Sequence, residues 1–461
     1  MDPQTLDLAR WQFGLTAAGH FLFVSLTLGL APLLAVLQTR ATLRGGAPVH
    51  TAMVRYWGRL YLINYGIGIV TGLVMEFQFG MAWSGLGHTA GAVFGASLAV
   101  ETVFAFFVES VFLGLWILGW DRFNRWVHLA ILWVVTGTAY LSAYWILVTN
   151  GFLNNPVGYA TDGDGALVLE DPVALLTNPS TLLAFGHIAG GALVTAGLFL
   201  AGVSAYHLSR RTEHHALFRR SLRLGVFTAL PALFVTVVFG GVQLASLTTL
   251  QPMKSAVFRQ DAAETARLQA ELTERFGPGD YLPHEALTRG AGTVMMLMFA
   301  LLMYGLLASA ILACFPRAVH RFRLWHTVLM AMVPLPYVAM TAGWVFREAG
   351  RQPWVVYGVL RTEDAVSDLS AGAMALSLAV FGTLFAVLIA VNTVLLLRTA
   401  RRGPTAPLSG PLPPPTPLVP PGPPGPPGSP GSPGSPGPPG PPVPPGPPVP
   451  PVAPLAGPGP R

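Results

Sequence analysis

The amino-acid sequence predicts an all-α polytopic membrane protein with about nine transmembrane helices. Hydrophobic residues make up 52% of the 461 positions and charged residues only 10%, which excludes an ordinary soluble domain. Nine apolar runs are each long enough to cross about 30 Å of hydrocarbon at about 1.5 Å per residue. These runs lie near residues 14–39, 56–78, 93–119, 127–149, 181–206, 222–244, 290–315, 325–346 and 370–397.

The charges of the connecting segments predict how the chain is oriented in the membrane. Segment 79–92 carries no charge, and segment 150–180 carries only acidic residues. Arginines concentrate instead in the alternate segments, which are 40–55, 120–126, 207–223, 316–324 and 398–402. Because arginine-rich loops stay in the cytoplasm, we expect the N-terminus outside and the C-terminus inside. The formal net charge of +6 is then a topology signal and does not indicate nucleic-acid binding.

Two further features bound the domain organisation. The single cysteine, Cys314, lies inside an apolar run, so a disulfide framework or a cysteine metal site is excluded. Residues 403–461 are rich in proline and glycine, with glycine at every third position from Gly422 to Gly440. We interpret this segment as a disordered cytoplasmic tail and not as a collagen-like trimer. The remaining residues, 1–402, form the predicted transmembrane body.

Several polar side chains lie within the apolar runs. His20 in the first helix and His187 in the fifth are each about two turns from the outer surface. A histidine in such a place is either hydrogen-bonded to a backbone carbonyl or a metal ligand. Glu101 and Glu109 of the third helix are eight residues apart, about 12 Å along an α-helix and offset by about 80°. Buried carboxyl groups are costly, so the pair indicates either a proton route or a structural hydrogen bond.

Residues 343–354, which read GWVFREAGRQPW, end the eighth apolar run. Trp344 and Glu348 are four residues apart and lie on one face of a helix, which Gly350 and Pro353 then end. A carboxylate beside Arg347 and Arg351 suits an iron-porphyrin, with the carboxylate on iron and arginine on the propionates. The alternative is an interfacial ion pair with a tryptophan anchor.

The only lysine of the chain, Lys254, follows the sixth apolar run in the stretch TLQPMK. The segment 245–289 is predicted to be an external loop, because residues 255–289 are polar. Within it, residues 261–274 have the pattern of a surface helix in which Glu264 and Arg267 can pair. Lys254 is either a ligand-binding residue of this loop or a plain exposed lysine.

Several of these stretches together resemble subunit I of cytochrome bd-type quinol oxidases. The stretch 343–354 matches the GWxxxE-GRQPW signature of that family, and residues 355–362 are similar to its continuation. Similar stretches surround His20, Glu101 and His187, and the Gln-Pro-x-Lys string resembles a quinol-binding loop of the short type. The resemblance extends from about residue 8 to residue 398.

The resemblance implies specific roles for the polar residues. His20 and Glu348 would each hold one of the two high-spin haems, haem d and haem b595, in an order that the sequence leaves open, and His187 would hold the low-spin haem b558. Glu101 would lie at the oxygen-reducing haems, with Glu109 and Ser142 continuing the proton path. Lys254 would help to bind quinol, and the side chains expected near the haem propionates are Trp344, Arg289 and Arg351.

The same resemblance implies an activity, partners and a location. The chain would oxidise quinol and reduce dioxygen to water in a bacterial cell membrane, with charge separated across the bilayer. A second multi-helix subunit and a small single-helix subunit are the expected partners. The topology agrees with such a centre, since it places His20, His187, Glu348 and the lysine loop at one level near the outer face.

Two positions depart from the family pattern. Arg259 stands where the family has a glutamate, five residues after the lysine. Ala291 stands two residues after Arg289, where the family has the methionine ligand of haem b558, and Met295 lies four residues further on, about 6 Å along the helix. We therefore keep two alternatives. The first is a divergent paralogue that lacks normal haem b558 and quinol oxidation, and the second is a proton-coupled transporter in which the histidines are structural.

Overall fold

The computed structural model describes residues 2–404, apart from the side chains of Phe79 and residues 104–106. Within this part, nine helices are long and apolar enough to cross a membrane, which confirms the predicted all-α polytopic fold. The predicted tail, 403–461, lies outside the described residues from position 405 onwards.

The described elements are mainly helices, with two short hairpins between them. The helices are α1 (Pro3–Leu43), α2 (Pro48–Ala82), α3 (Ser84–Val100), α4 (Val108–Leu118), α5 (Arg125–Asn154), α6 (Pro172–Leu176), α7 (Pro179–Ser209), α8 (His215–Leu250), α9 (Pro252–Arg259), α10 (Ala262–Phe276), α11 (Glu285–Cys314), α12 (Pro316–Arg321), α13 (Arg323–Met332), α14 (Leu335–Ala349), α15 (Thr362–Ala365) and α16 (Ala371–Arg402). The antiparallel strand pairs are β1 (Tyr159–Thr161) with β2 (Leu167–Leu169), and β3 (Trp354–Val356) with β4 (Leu360–Arg361).

Helix α7 lies at the centre of the bundle, where it packs against α1, α5, α8 and α13. Small residues let the backbones approach closely, as they do in many membrane proteins. A side chain at Gly29 of α1 would collide with the backbone of Ala192 in α7, and Gly197 of α7 faces Gly225 of α8 in the same way. The core therefore depends on glycine at the helix crossings.

A π-helical segment, Glu101–Phe107, joins α3 to α4 within one membrane span. The α-helical geometry expected from the spacing of Glu101 and Glu109 is therefore wrong, because a π-helix has more residues per turn. Segments of this kind occur frequently at functional sites. Here the segment begins at the first of the two glutamates.

The segment between α8 and α11 is folded and is attached to the second hairpin. Helix α10 confirms the predicted surface helix, and Arg267 pairs with Glu264 at 2.7 Å. Trp354 of β3 contacts the rings of Phe276 and Tyr281, with centroid distances of 4.9 and 5.9 Å. These contacts hold the end of α10 next to the turn that follows Glu348.

Candidate functional site

The Glu348 carboxylate is buried at the end of α14, where it is 8% exposed. Its Oε2 atom forms an ion pair with Arg351 NH2 at 2.7 Å, and its Oε1 atom accepts a hydrogen bond from Asn150 Nδ2 of α5 at 2.9 Å. The Nε atom of Arg347 lies 3.9 Å from Oε1. Glu348 therefore lies between two guanidinium groups, as its sequence neighbours predicted, but inside the protein and not at an open interface.

Arg347 connects α14 to three other helices. Its Nε donates to Asn150 Oδ1 of α5 at 2.8 Å, its NH2 to Ser180 Oγ of α7 at 3.1 Å, and its NH1 to Gln243 Oε1 of α8 at 3.3 Å. Sequence reasoning missed these three neutral acceptors, because asparagine, serine and glutamine are common in many surroundings. Their convergence on one buried arginine is visible only in the fold.

Lys254 belongs to the same cluster. It is 3% exposed, which excludes the interpretation as a plain exposed lysine. Its Nζ atom donates to the Arg347 carbonyl at 3.0 Å and to Gln251 Oε1 at 3.2 Å, and it lies 4.8 Å from the Phe346 ring centroid. Burial and the neighbouring positive charge of Arg347 lower the pKa of Lys254 to about 7.

A chain of amide side chains links Lys254 to Glu348. Gln251 Nε2 donates to the Asn154 carbonyl at 2.9 Å and to its Oδ1 at 3.1 Å. Asn154 Nδ2 donates to the Asn150 carbonyl at 3.0 Å, and Asn150 in turn holds Glu348. The external segment and the end of α14 are therefore joined by a continuous polar path.

His20 of α1 is held by Thr71 of α2. The Thr71 hydroxyl donates to the Gly68 carbonyl at 2.8 Å, so its oxygen is the acceptor for His20 Nδ1 at 2.9 Å. This arrangement puts the imidazole proton on Nδ1 and leaves the Nε2 lone pair for another partner. The ring packs beside Gly72, where a Cβ would lie 3.4 Å from Cε1.

His187 of α7 is held in the same way. Its Nδ1 donates to the Thr236 carbonyl of α8 at 2.8 Å, which again leaves the Nε2 lone pair available. Gly240 of α8 is necessary for this position, since a Cβ there would lie 2.8 Å from His187 Cε1. The sequence left open whether His187 is hydrogen-bonded to a backbone carbonyl or is a metal ligand. The two are compatible, because a backbone hydrogen bond on one ring nitrogen orients the other nitrogen as a ligand.

Glu101 and Glu109 have different neighbours from Glu348. Ser142 Oγ of α5 donates to Glu101 Oε1 at 2.6 Å, which brings two predicted proton-path residues together. Glu76 of α2, which sequence reasoning missed, accepts from Thr102 Oγ1 at 3.1 Å and lies within hydrogen-bonding reach of Glu101. Glu109 is buried at the start of α4, within hydrogen-bonding reach of the Tyr65 hydroxyl.

Two residues predicted near the propionates are in different surroundings. Trp344 lies between Phe13 and Phe21 of α1, with a ring-centroid distance of 6.0 Å to each. It therefore brings α14 next to the part of α1 that carries His20. Arg289 is 38% exposed in its side chain and pairs with Glu285 one turn earlier at 2.9 Å.

The two departures from the family pattern have these positions in the structure. Arg259 is the last residue of α9 and is exposed. Ala291 is half-buried in the first third of α11, and alanine has no atom that can bind iron. Met295 points its sulfur towards α14, where a Cβ on Gly343 would lie 3.0 Å from it.

Within residues 2–404, nine helices long and apolar enough to cross a membrane enclose a buried carboxylate, two guanidinium groups and two oriented histidines. This arrangement defines a helical membrane protein whose side chains are of the types that can bind buried cofactors. The sequence matches the family model of cytochrome bd terminal oxidase subunit I over residues 8–276 and 278–404. The chain belongs to this family.

Individual relatives cover almost the whole described chain. The cytochrome bd ubiquinol oxidase subunit 1 of Bacillus subtilis (strain 168) is 33% identical over an alignment 450 residues long, which covers 86% of this chain and 94% of the relative. The cytochrome bd-II ubiquinol oxidase subunit 1 of Escherichia coli (strain K12) is 30% identical, over 87% of this chain and 97% of the relative. The solved bd oxidase from Geobacillus thermodenitrificans has a TM-score of 0.75 at 25% identity and covers 87% of this chain and 99% of that chain.

Membership of the family establishes the class of function. The chain is the catalytic subunit of a terminal oxidase, a membrane-bound oxidoreductase of a respiratory chain whose family carries haem. The family and the solved structure do not favour the alternative of a proton-coupled transporter.

Two features of the side chains fit an iron-porphyrin. His20 and His187 each present Nε2 with Nδ1 already satisfied, which is the usual state of an iron-bound histidine. Arg351 is 5% exposed, and its Nε and NH1 atoms have no hydrogen-bond partner among the described residues. Buried N–H groups of this kind fit a further anion, such as a haem propionate, beside Glu348.

Proposed function

We propose that this chain is the haem-bearing subunit of a bd-type quinol oxidase, which oxidises quinol and reduces dioxygen to water. The observation that carries the proposal is the buried cluster at the end of α14. There, Glu348 is held by Asn150 and Arg351, and Arg351 keeps two N–H groups for an anionic partner. The printed names of the two relatives, both ubiquinol oxidase subunits, support quinol as the reductant.

In this proposal His20 and Glu348 each hold one high-spin haem, haem d and haem b595, and His187 holds haem b558. When bound, the high-spin haems supply the electrons that dioxygen takes up. The chain itself orients the axial ligands, through Thr71 for His20 and through Asn150 for Glu348. Trp344, Arg351 and Arg289 are proposed to stabilise the propionate side of the haems.

The proposed proton supply runs along the inner part of the bundle. Glu109, next to the Tyr65 hydroxyl, receives protons from the cytoplasmic side, and Glu101 with Ser142 delivers them towards the oxygen site. Quinol releases its protons on the outer side. Because the two sides differ, oxidation and reduction separate charge without pumping, and the reaction is electrogenic. The arginine-rich segments support the orientation, with the N-terminus outside.

Lys254 is proposed to form the inner wall of the quinol site. Its ammonium group already reaches the Arg347 carbonyl and Gln251, so it holds the base of the external segment against α14. A quinol bound next to this base would release electrons close to His187, since Arg347 also reaches α7 through Ser180.

The proposal includes partners and a location. A second multi-helix subunit and a small single-helix subunit are expected in the bacterial cell membrane. The faces of α4, α11 and α16 support this expectation, because large apolar side chains such as Leu118, Leu297 and Leu376 are exposed there. Lipid or another apolar helix would cover such faces.

One observation favours a second candidate, a divergent paralogue that keeps the high-spin haems but lacks normal haem b558. Ala291 cannot bind iron, and the Met295 sulfur lies against Gly343 of α14. Reduced-minus-oxidised spectra of the purified protein separate the two candidates. A low-spin b-type signal supports the quinol oxidase, and a spectrum with only high-spin features supports the paralogue.

The experiment that tests the proposed function combines pyridine-haemochrome analysis with oxygen uptake on added quinol. The purified complex is expected to contain both b-type and d-type haem and to consume oxygen only when quinol is present. His88, an exposed histidine of α3, provides a control. His88→Ala should leave pigment and oxygen uptake unchanged. A colourless wild-type complex, or a coloured one that does not use quinol, would contradict the proposal.

A further inference from the structure

Arg347 occupies a position that the GWxxxE signature leaves unspecified, since it is the third of the three variable residues before Glu348. A guanidinium group is always charged and is costly to bury near a membrane unless it is paired or solvated. Its side chain is only 20% exposed. This chain therefore maintains a permanent positive charge at a place where its signature does not require one.

The partners of Arg347 solvate its charge without neutralising it. All three strong acceptors, Asn150, Ser180 and Gln243, are neutral. The nearest carboxylate oxygen, on Glu348, is 3.9 Å away and belongs to a group that Arg351 already binds at 2.7 Å. Two guanidinium groups thus share one carboxylate, and the cluster keeps a surplus positive charge.

Arg347 also reaches two of the three proposed haem sites, those of His187 and Glu348. It precedes Glu348 on α14, and its NH2 donates to Ser180 Oγ of α7, about two turns before His187, at 3.1 Å. Its acceptor Gln243 donates in turn to the Leu183 carbonyl at 3.3 Å, one turn before His187. The guanidinium group is therefore fixed between the part of α7 that precedes His187 and the Glu348 carboxylate.

We propose that Arg347 is a fixed charge shared by the two sites, which favours the reduced form of the haem at His187 and of the haem at Glu348. Reduction adds one electron to each haem, and a nearby positive charge lowers the free energy of the more negative state. Arg347 thus links the site where electrons enter to one of the two high-spin haem sites. This inference rests on the proposed function, because it needs a haem at each position.

Spectroelectrochemical titration of the whole purified complex tests the inference. Arg347→Gln should lower both midpoint potentials, since it removes the charge and keeps a polar side chain. Arg347→Lys should stay close to wild type, because it keeps the charge and loses the three-way hydrogen bonding. Arg323→Gln, an exposed arginine at the far end of the same span, should change neither potential.

A second variant covers the case in which Arg347→Gln does not assemble. Gln243→Glu is isosteric and puts a carboxylate at the Oε1 position, 3.3 Å from Arg347 NH1, so it should also lower both potentials. If these variants retain haem at both sites and the two midpoint potentials do not change, the inference is overturned and the proposed function is not. An equal fall for Arg347→Lys and Arg347→Gln would also overturn it, because hydrogen bonding would then be the cause. Wild-type complex without haem at these sites would overturn the proposed function and the inference with it.

Discussion

Two groups of glutamates within the apolar spans of this protein have opposite surroundings. Glu348 accepts a hydrogen bond from an amide and forms an ion pair with a guanidinium group, with a second guanidinium group 3.9 Å away. The contacts of Glu101 and Glu109 are hydroxyl groups, from Ser142 and Tyr65, and a second carboxyl group, Glu76. The same side chain is thus placed among cations in one region and among proton carriers in the other.

The difference teaches what each region can do. A carboxylate fixed by N–H donors on both oxygens is rigid and anionic, which suits an axial ligand. Carboxyl groups surrounded by hydroxyl groups have partners that both donate and accept, which suits the transfer of a proton. The π-helical segment separates Glu101 from Glu109 and adds to the irregularity of the second region.

Among the predicted changes, removal of Arg351 should have the largest effect, because it destabilises the site around Glu348. Arg351→Met leaves the buried Glu348 without its closest cation, and loss of one partner of a buried pair costs about 3–5 kcal/mol. We expect haem to be lost at a lower temperature, measured by absorbance during heating. The exposed pair of Arg267 and Glu264 is the matched comparison, since solvent screens an exposed ion pair and Arg267→Met should change stability little. Equal effects for the two variants would contradict the difference between buried and exposed pairs.

Replacement of Glu101 or Glu109 by a neutral amide should stop the proton supply and leave the haem content unchanged. Glu101→Gln and Glu109→Gln cannot carry a proton, so quinol-driven oxygen uptake should fall about 100-fold or more. Haem spectra of both variants should match wild type, which separates them from changes at Glu348. Full oxygen uptake in either variant would remove that residue from the proton path. Glu264→Gln on the surface should change neither quantity.

A single methyl group next to His187 should disturb the low-spin site. Gly240→Ala puts a Cβ 2.8 Å from His187 Cε1, and overpacking of this kind costs about 1–3 kcal/mol. The expected result is a weakened or shifted low-spin signal in reduced-minus-oxidised spectra. Gly241→Ala is the control one residue away, because a Cβ there meets nothing within 4 Å. An unchanged spectrum for Gly240→Ala would argue against haem ligation by His187.

The smallest effect is expected from the hydroxyl group next to Glu109. Tyr65→Phe removes one hydrogen bond, worth about 0.5–1.5 kcal/mol, and should slow oxygen uptake about threefold to tenfold. Its ring can stay against Tyr61, at a centroid distance of 5.6 Å. Tyr56→Phe, on the same helix but bonded to the Ala400 carbonyl, should leave the rate unchanged. Identical rates for both variants would make Tyr65 a packing residue.

For the part of the chain that the structure describes, the sequence was sufficient for the nine long apolar helices, since each is a long apolar run, and for the end of α14, where Gly350 and Pro353 follow. It also indicated Glu348 with its arginines and Glu101, because charged groups in apolar runs stand out, whereas Ser142 was indicated only by the resemblance to the family. Asn150 and Gln243 did not stand out, since neutral amides are unremarkable in a sequence. Their role depends on α5, α8 and α14 meeting, which is a property of the tertiary packing.

Two other features were beyond the sequence for different reasons. Lys254 lies in a polar segment, so its burial follows from the packing of α9 against α14 and not from local composition. The π-helical segment has no signature in residues 101–107, which are as apolar as an ordinary span. Local patterns therefore locate elements and charges, whereas the contacts between distant elements decide what those charges do.

The most direct test of the account is the haem content of the complexes purified with His20→Ala and Glu348→Ala. Each variant should lose one high-spin haem and keep the other, measured by pyridine haemochromes and by reduced-minus-oxidised spectra against the wild-type complex. If both variants retain the full pigment content, these two side chains do not bind the haems, and the account is contradicted.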